Sequence, residues 1–111
     1  MATKAPDKIP PGLELDALTA QKVFGWNNVH KHNGALIGKK PDKLGRWRTA
    51  NVPNYSTNPV NAYAIDERMK QLGRSERYAK ELSKITMANK IPPEWASPDQ
   101  RARAAIKTVG K

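Results

Sequence analysis

Arg46-Trp47-Arg48 is the sharpest chemical feature of the chain. Successive side chains of a β-strand leave opposite faces, so both guanidinium groups would leave one face and Trp47 the other. Trp47 then reads as a core or half-buried anchor, and the arginines as forks for phosphate or carboxylate. Lys31, Lys39, Lys40 and Lys43 lie close by in sequence. The six bases together define an expected anion- or partner-binding edge. The plainer alternative is a Trp-anchored strand with a solvated, charged face.

Two further groups of residues carry candidate chemistry. His30 and His32 form a His-x-His pair, which on a strand directs both rings to one face. With Asp42 as a third ligand this would begin a zinc site, but tetrahedral zinc takes four ligands and no fourth is visible. Surface imidazoles are the competing reading, and no metal or cofactor is expected. Tyr55-Ser56-Thr57 stands just before a helix start, where backbone N–H groups attract anions, so these three are candidate ligand contacts. Packing is the commoner role for such a tyrosine.

Catalysis finds little to work with. Cysteine is absent, which removes thiol nucleophiles, Cys–zinc sites and disulfides together. No Ser or Thr is paired with His at a nucleophile-like spacing. The adjacent carboxylates Asp66 and Glu67 are expected on the solvent side of a helix, pointing apart. Gly34-x-x-x-Gly38-Lys39-Lys40 has the wrong spacing for a phosphate loop and lacks its Ser or Thr. The chain is expected not to be an enzyme.

Charge narrows the class of partner. Twenty Lys and Arg against ten Asp and Glu give the 111-residue chain a formal +10, which calls for nucleic acid, an anionic nucleotide or an acidic protein surface. Residues 1–26 balance to zero, whereas residues 27–48 carry six bases against Asp42 alone. Gly34, Gly38 and Gly45 fall in the same stretch and point to turns and exposed backbone. Apolar runs stay far below the ~18 residues of a membrane helix, and the first residues start no signal peptide. The length fits one domain.

The elements that must hold these residues follow from periodicity. Residues 1–11 read as an extended, loosely held tail ending in Pro10-Pro11, with a single domain over 12–111. Leu13, Ala17, Ala20 and Phe24 share one helical face, and Leu15 and Leu18 lie on the other side. Gly25 supplies a left-handed stop, over which Trp26 folds back toward Ala20 and Gln21. Residues 27–48 form a basic, hairpin-like insert. Within it Asn33-Gly34 is a two-residue hairpin turn between Val29–His32 and Ala35–Ile37, and a third strand is expected over Leu44–Thr49. Asn58-Pro59 restarts helix with a cap and a Pro at the first position, and Ala62, Ile65, Met69 and Leu72 give its apolar stripe. Ser75 is expected to cap a further helix over 75–86 with Tyr78, Leu82 and Ile85 aligned. Ser97-Pro98-Asp99-Gln100 is a capping box before a last helix with Ala102, Ala105, Ile106 and Val109 inside and Gly110 as its stop. About four helices and a small antiparallel sheet predict an α+β fold.

Three blocks of this sequence resemble the phage ABA sandwich proteins, small proteins encoded by phages and prophages. They are Glu14-Leu15-Asp16-Ala17-Leu18 through Lys22-Val23-Phe24-Gly25-Trp26, Pro53-Asn54-Tyr55-Ser56-Thr57 with the helix that follows, and Ala96-Ser97-Pro98-Asp99-Gln100-Arg101 with its Ala-rich helix. The resemblance covers roughly half of the chain. It implies a sandwich-like arrangement with a β-layer between helices, a phage origin and no catalytic residue. Small non-enzymatic phage proteins often inhibit host defence, so the leading expectation is an accessory protein in the cytoplasm of an infected or lysogenic bacterium. Its expected target is a host defence protein or protein–nucleic acid complex, met as an acidic protein surface or as nucleic acid. Direct nucleic-acid binding and oligomeric sequestration of a nucleotide signal are the alternatives, with the chain a monomer or a small homo-oligomer.

Overall fold

The computed structural model describes residues 9–109. The first helix, α1, runs over Leu13–Lys22. Three strands follow, β1 (Asn27–His32), β2 (Ala35–Pro41) and β3 (Trp47–Asn51). The chain then turns helical in α2 (Pro59–Gln71), α3 (Ser75–Ala88), a short 3-10 turn over Pro93–Trp95, and α4 (Pro98–Val109). The strands form one antiparallel sheet in the order β1-β2-β3. The protein is therefore α+β, with four helices and a three-stranded sheet, as the periodicity predicts.

Local signals place most element ends. Asn33 and Gly34 both take positive φ, 51° and 80°, as a two-residue turn between paired His32 and Ala35 requires. Gly25 is left-handed, and the Trp26 N–H donates to the Ala20 carbonyl at 2.9 Å. The Asn58 side chain accepts from the Val60 N–H with Pro59 at the first helical position. Ser97 and Gln100 close the capping box from both sides. α3 differs at its start: Ser75 is already helical, the cap position falls on Arg74, and no side chain caps it. The expected stop at Gly110 and most of the expected tail (residues 1–8) lie outside the described residues.

The helices carry the core. Ile65 and Met69 of α2, Leu15 and Ala20 of α1, and Ala102, Ala104 and Ala105 of α4 are fully buried. The run of alanines lets α4 approach its neighbours closely, in line with helix packing set by side-chain size at the contact. Ile9, expected in a loose tail, is 1% exposed and belongs to this core, and its carbonyl accepts from Arg103 Nη2. Leu72 and Leu13, expected inside, lie near element ends and remain over a third exposed.

The buried face of α1 is Leu15, Asp16, Thr19, Ala20 and Val23 rather than the all-apolar stripe expected from spacing. The Thr19 hydroxyl donates to the Leu15 carbonyl, so it is satisfied within its own helix. Asp16 is satisfied across the fold: one carboxylate oxygen accepts from the Ser56 N–H at 2.7 Å and from the Ser56 hydroxyl at 2.6 Å. Ser56 Oγ in turn accepts from the Gly12 N–H, one of the free donors at the start of α1. A buried polar group is tolerated only when so paired.

A second polar junction ties the three later helices. Asp66 accepts from the Tyr78 hydroxyl at 2.5 Å and from Arg101 Nη1 at 2.6 Å. Asp66 therefore does not sit on the solvent side with Glu67, as its helical position alone implied. Burial first, and the neighbouring Asp66 second, push the Tyr78 phenol above its ordinary value.

Candidate functional site

The sheet has two unlike faces. Val29, Leu36 and Ala50 turn toward the core, as does Gly38, where an added Cβ would lie 2.9 Å from Val29 Cγ2 and 3.1 Å from Trp26 Cε3. That approach requires glycine at this position. Lys40 follows Leu36 and Gly38 in phase, and Lys40 pairs in register with Arg48. The opposite face carries His30, Ile37, Lys39, Trp47 and Thr49, and no helix covers it among the described residues.

Trp47 is 52% exposed on that open face; it is not the core anchor expected from the Arg-Trp-Arg pattern. The reason lies in the turn before it. Asp42 N–H donates to the Arg46 carbonyl, and Gly45 N–H to the Asp42 carbonyl. Asp42 Oδ1 takes the N–H groups of Leu44 and Arg46. Residues 42–46 are consumed by this turn, so the third strand begins at Trp47 and not at Leu44. Ala50 and Val52, in phase with each other, then turn inward and place Trp47 outward.

The two arginines are held, not free. Arg48 Nε lies 2.8 Å and Arg46 Nε 3.3 Å from Asp42 Oδ2. The hydrogen bond from Arg48, then the backbone N–H of Arg46, lowers the Asp42 pKa below its ordinary value. The outer nitrogens of both forks stay on the surface, with the arginine side chains 61% and 59% exposed. Lys31, Lys39, Lys40 and Lys43 are exposed, and none is paired with a carboxylate among the described residues. The structure thus gathers the six predicted bases on one sheet and its turn, but distributes them over both faces and the rim.

The remaining candidates go elsewhere. Tyr55 and Ser56 are buried, Thr57 is exposed, and the Tyr55 ring stacks on Phe24 at 4.7 Å between centroids. Burial, aided by Asp16, pushes the Tyr55 phenol up to about 12. Tyr55 and Ser56 therefore serve the junction with α1. His30 Nδ1 lies 2.8 Å from the Asn28 carbonyl oxygen, and Asp42 is committed to the arginines. Among the described residues no group of three His, Asp or Glu side chains gathers to hold a metal, and no helix is long and apolar enough to cross a membrane.

Comparison of the chain with protein-family models, with curated proteins and with solved structures returned no match.

Proposed function

We propose that the chain is a non-catalytic binding protein whose sheet takes a single strand of nucleic acid. The observation that supports this most strongly is Trp47. It is a large aromatic ring, half exposed on an uncovered sheet face, one position diagonally from Lys39 in the β2–β3 register. Every base has a π-face, so an exposed aromatic ring flanked by unpaired ammonium groups suits single strands, with bases stacked and phosphates on lysine.

The resemblance to phage ABA sandwich proteins gives this activity its setting. The chain would be a phage accessory protein, acting in the host cytoplasm on nucleic acid or on a defence complex that handles it. A second reading, an acidic protein surface, is favoured by Arg46 and Arg48. Asp42 holds their forks in fixed positions, as preorganised contacts to carboxylates require.

Fluorescence anisotropy with labelled single-stranded DNA and RNA tests the first reading. If Lys39 and the rim Lys43 meet phosphates, log K against log salt should have a slope of about −1.4. Trp47→Ala should weaken binding by roughly 5-fold or more, the loss expected for one stacked base. Binding that ignores salt, or that Trp47→Ala leaves unchanged, refutes it. Capture of a host protein that survives nuclease treatment and is lost on Arg46→Gln/Arg48→Gln would move the conclusion to the acidic surface.

A further inference from the structure

The helix-facing side of the sheet holds a feature that the nucleic-acid reading does not use. Where β2 and β3 meet the α1–β1 link and α2, a hollow of about 300 Å³ opens to the surface. That is at the small end of ligand pockets, about 300–1,000 Å³. Phe24, Trp26 and Tyr55 give it an aromatic wall, and Lys40, Arg68 and Asn51 give it polar groups. No carboxylate lines it.

The two cations are what make the hollow more than a packing gap. Four arginines of the fold sit against carboxylates: Arg46 and Arg48 with Asp42, Arg101 with Asp66, Arg103 with Asp99. Neither Lys40 nor Arg68 has an acidic partner among the described residues. The Lys40 ammonium stands over the Trp26 ring, 5.8 Å from its centroid. Arg68 Nε donates to the Val23 carbonyl at 3.0 Å, and its Nη1 reaches only the neutral Gln71 amide at 3.5 Å. Two like charges beside one concave, partly apolar place repel each other, and an anion seated between them offsets that repulsion.

We infer that this hollow binds a phosphate monoester carried on a flat ring, a ligand of the nucleoside monophosphate class. The phosphate would lie between the Lys40 ammonium and the outer edge of the Arg68 guanidinium, with the ring against the aromatic wall. The site stands on the opposite side of the sheet from Trp47, so its existence does not depend on single-strand binding there.

Titration of the full chain with 5′-AMP and 5′-UMP, followed in ¹H–¹⁵N spectra, tests this. Saturable shifts are expected at the Trp26, Lys40, Asn51, Tyr55 and Arg68 amides and at the Trp26 indole. Lys40→Gln should weaken binding at least about tenfold, the loss of one charge-assisted contact. Arg68→Gln should do the same. Because it also removes the Val23 contact, the exposed Lys40 carries the test if Arg68→Gln unfolds. Lys39→Gln and Trp47→Ala, on the other face, should change the affinity for 5′-AMP less than about twofold, even if they abolish strand binding. Adenosine binding as tightly as 5′-AMP would overturn the anion site, and inorganic phosphate binding as tightly would overturn the ring site. Shifts confined to the Trp47 face, or none, would overturn the inference altogether.

Discussion

Asp16→Ala is the most severe single test of how this fold holds together. The carboxylate is 2% exposed and accepts two hydrogen bonds from Ser56, at 2.7 Å from the N–H and 2.6 Å from the hydroxyl. Bonds to a charged group contribute about 1.5–3 kcal/mol each. The hydroxyl has a second acceptor, the Gly12 carbonyl at 3.2 Å, so its loss is softened. The Ser56 N–H has none, and a buried orphan donor costs about 1–3 kcal/mol. Removing the carboxylate also removes its own desolvation cost. The net expectation is about 2–4 kcal/mol, out of a total of about 5–15 for a domain of this kind. Thermal unfolding followed by circular dichroism should show a fall of roughly 10–20 °C. Asp16→Asn keeps an oxygen acceptor and should cost about half as much. Ser56→Ala combined with Asp16→Ala should be less damaging than the two single losses added, by about 1 kcal/mol or more. If Asp16→Ala loses less than about 1 kcal/mol, or the pair is additive, the carboxylate does not bind α1 to the loop before α2.

Three further outcomes are expected. Ile65→Ala, at a fully buried position, should cost about 2–5 kcal/mol in urea unfolding; a midpoint equal to wild type would contradict its place in the core. Ser97→Ala opens the capping box on the Gln100 N–H and should cost about 1 kcal/mol, seen as a fall of a few degrees in Tm; no change would place the start of α4 elsewhere. The Asp42 pKa lies below its ordinary value of 3.8, so the turn it organises is intact above the unfolded-state value and is lost as pH falls through the folded one. The Leu44 and Arg46 amide resonances should therefore titrate with a midpoint below 3.8, and a midpoint at or above it would mean the arginines do not hold the carboxylate.

What the sequence determined by itself is the set of features that act within a few residues. Asn33-Gly34 defines its turn because the backbone there must take positive φ, which these residues tolerate. Asn58-Pro59 and Ser97-Pro98-Asp99-Gln100 start their helices because cap and recipient lie two or three residues apart. Ile65 and Met69, one helical turn apart, had to share a face. What the tertiary structure alone decided is every pairing between distant residues. Asp16 and Leu13 look alike as helix positions, but only Asp16 meets Ser56, 40 residues on. Asp66 gains its role from Tyr78 and Arg101, which arrive on two other helices. The candidate site shows the same division. Its charge was legible by counting, whereas the face of each side chain was not, because strand alternation is fixed by where the turn ends. Asp42 takes five residues into that turn, and Ala50 and Val52 are then drawn inward. Arg48, in phase with them, goes to the helix side, and Trp47 faces water. Arg68 gave no signal at all, since a cation in a charged helical stretch acquires meaning only when folding brings it to the same hollow as Lys40.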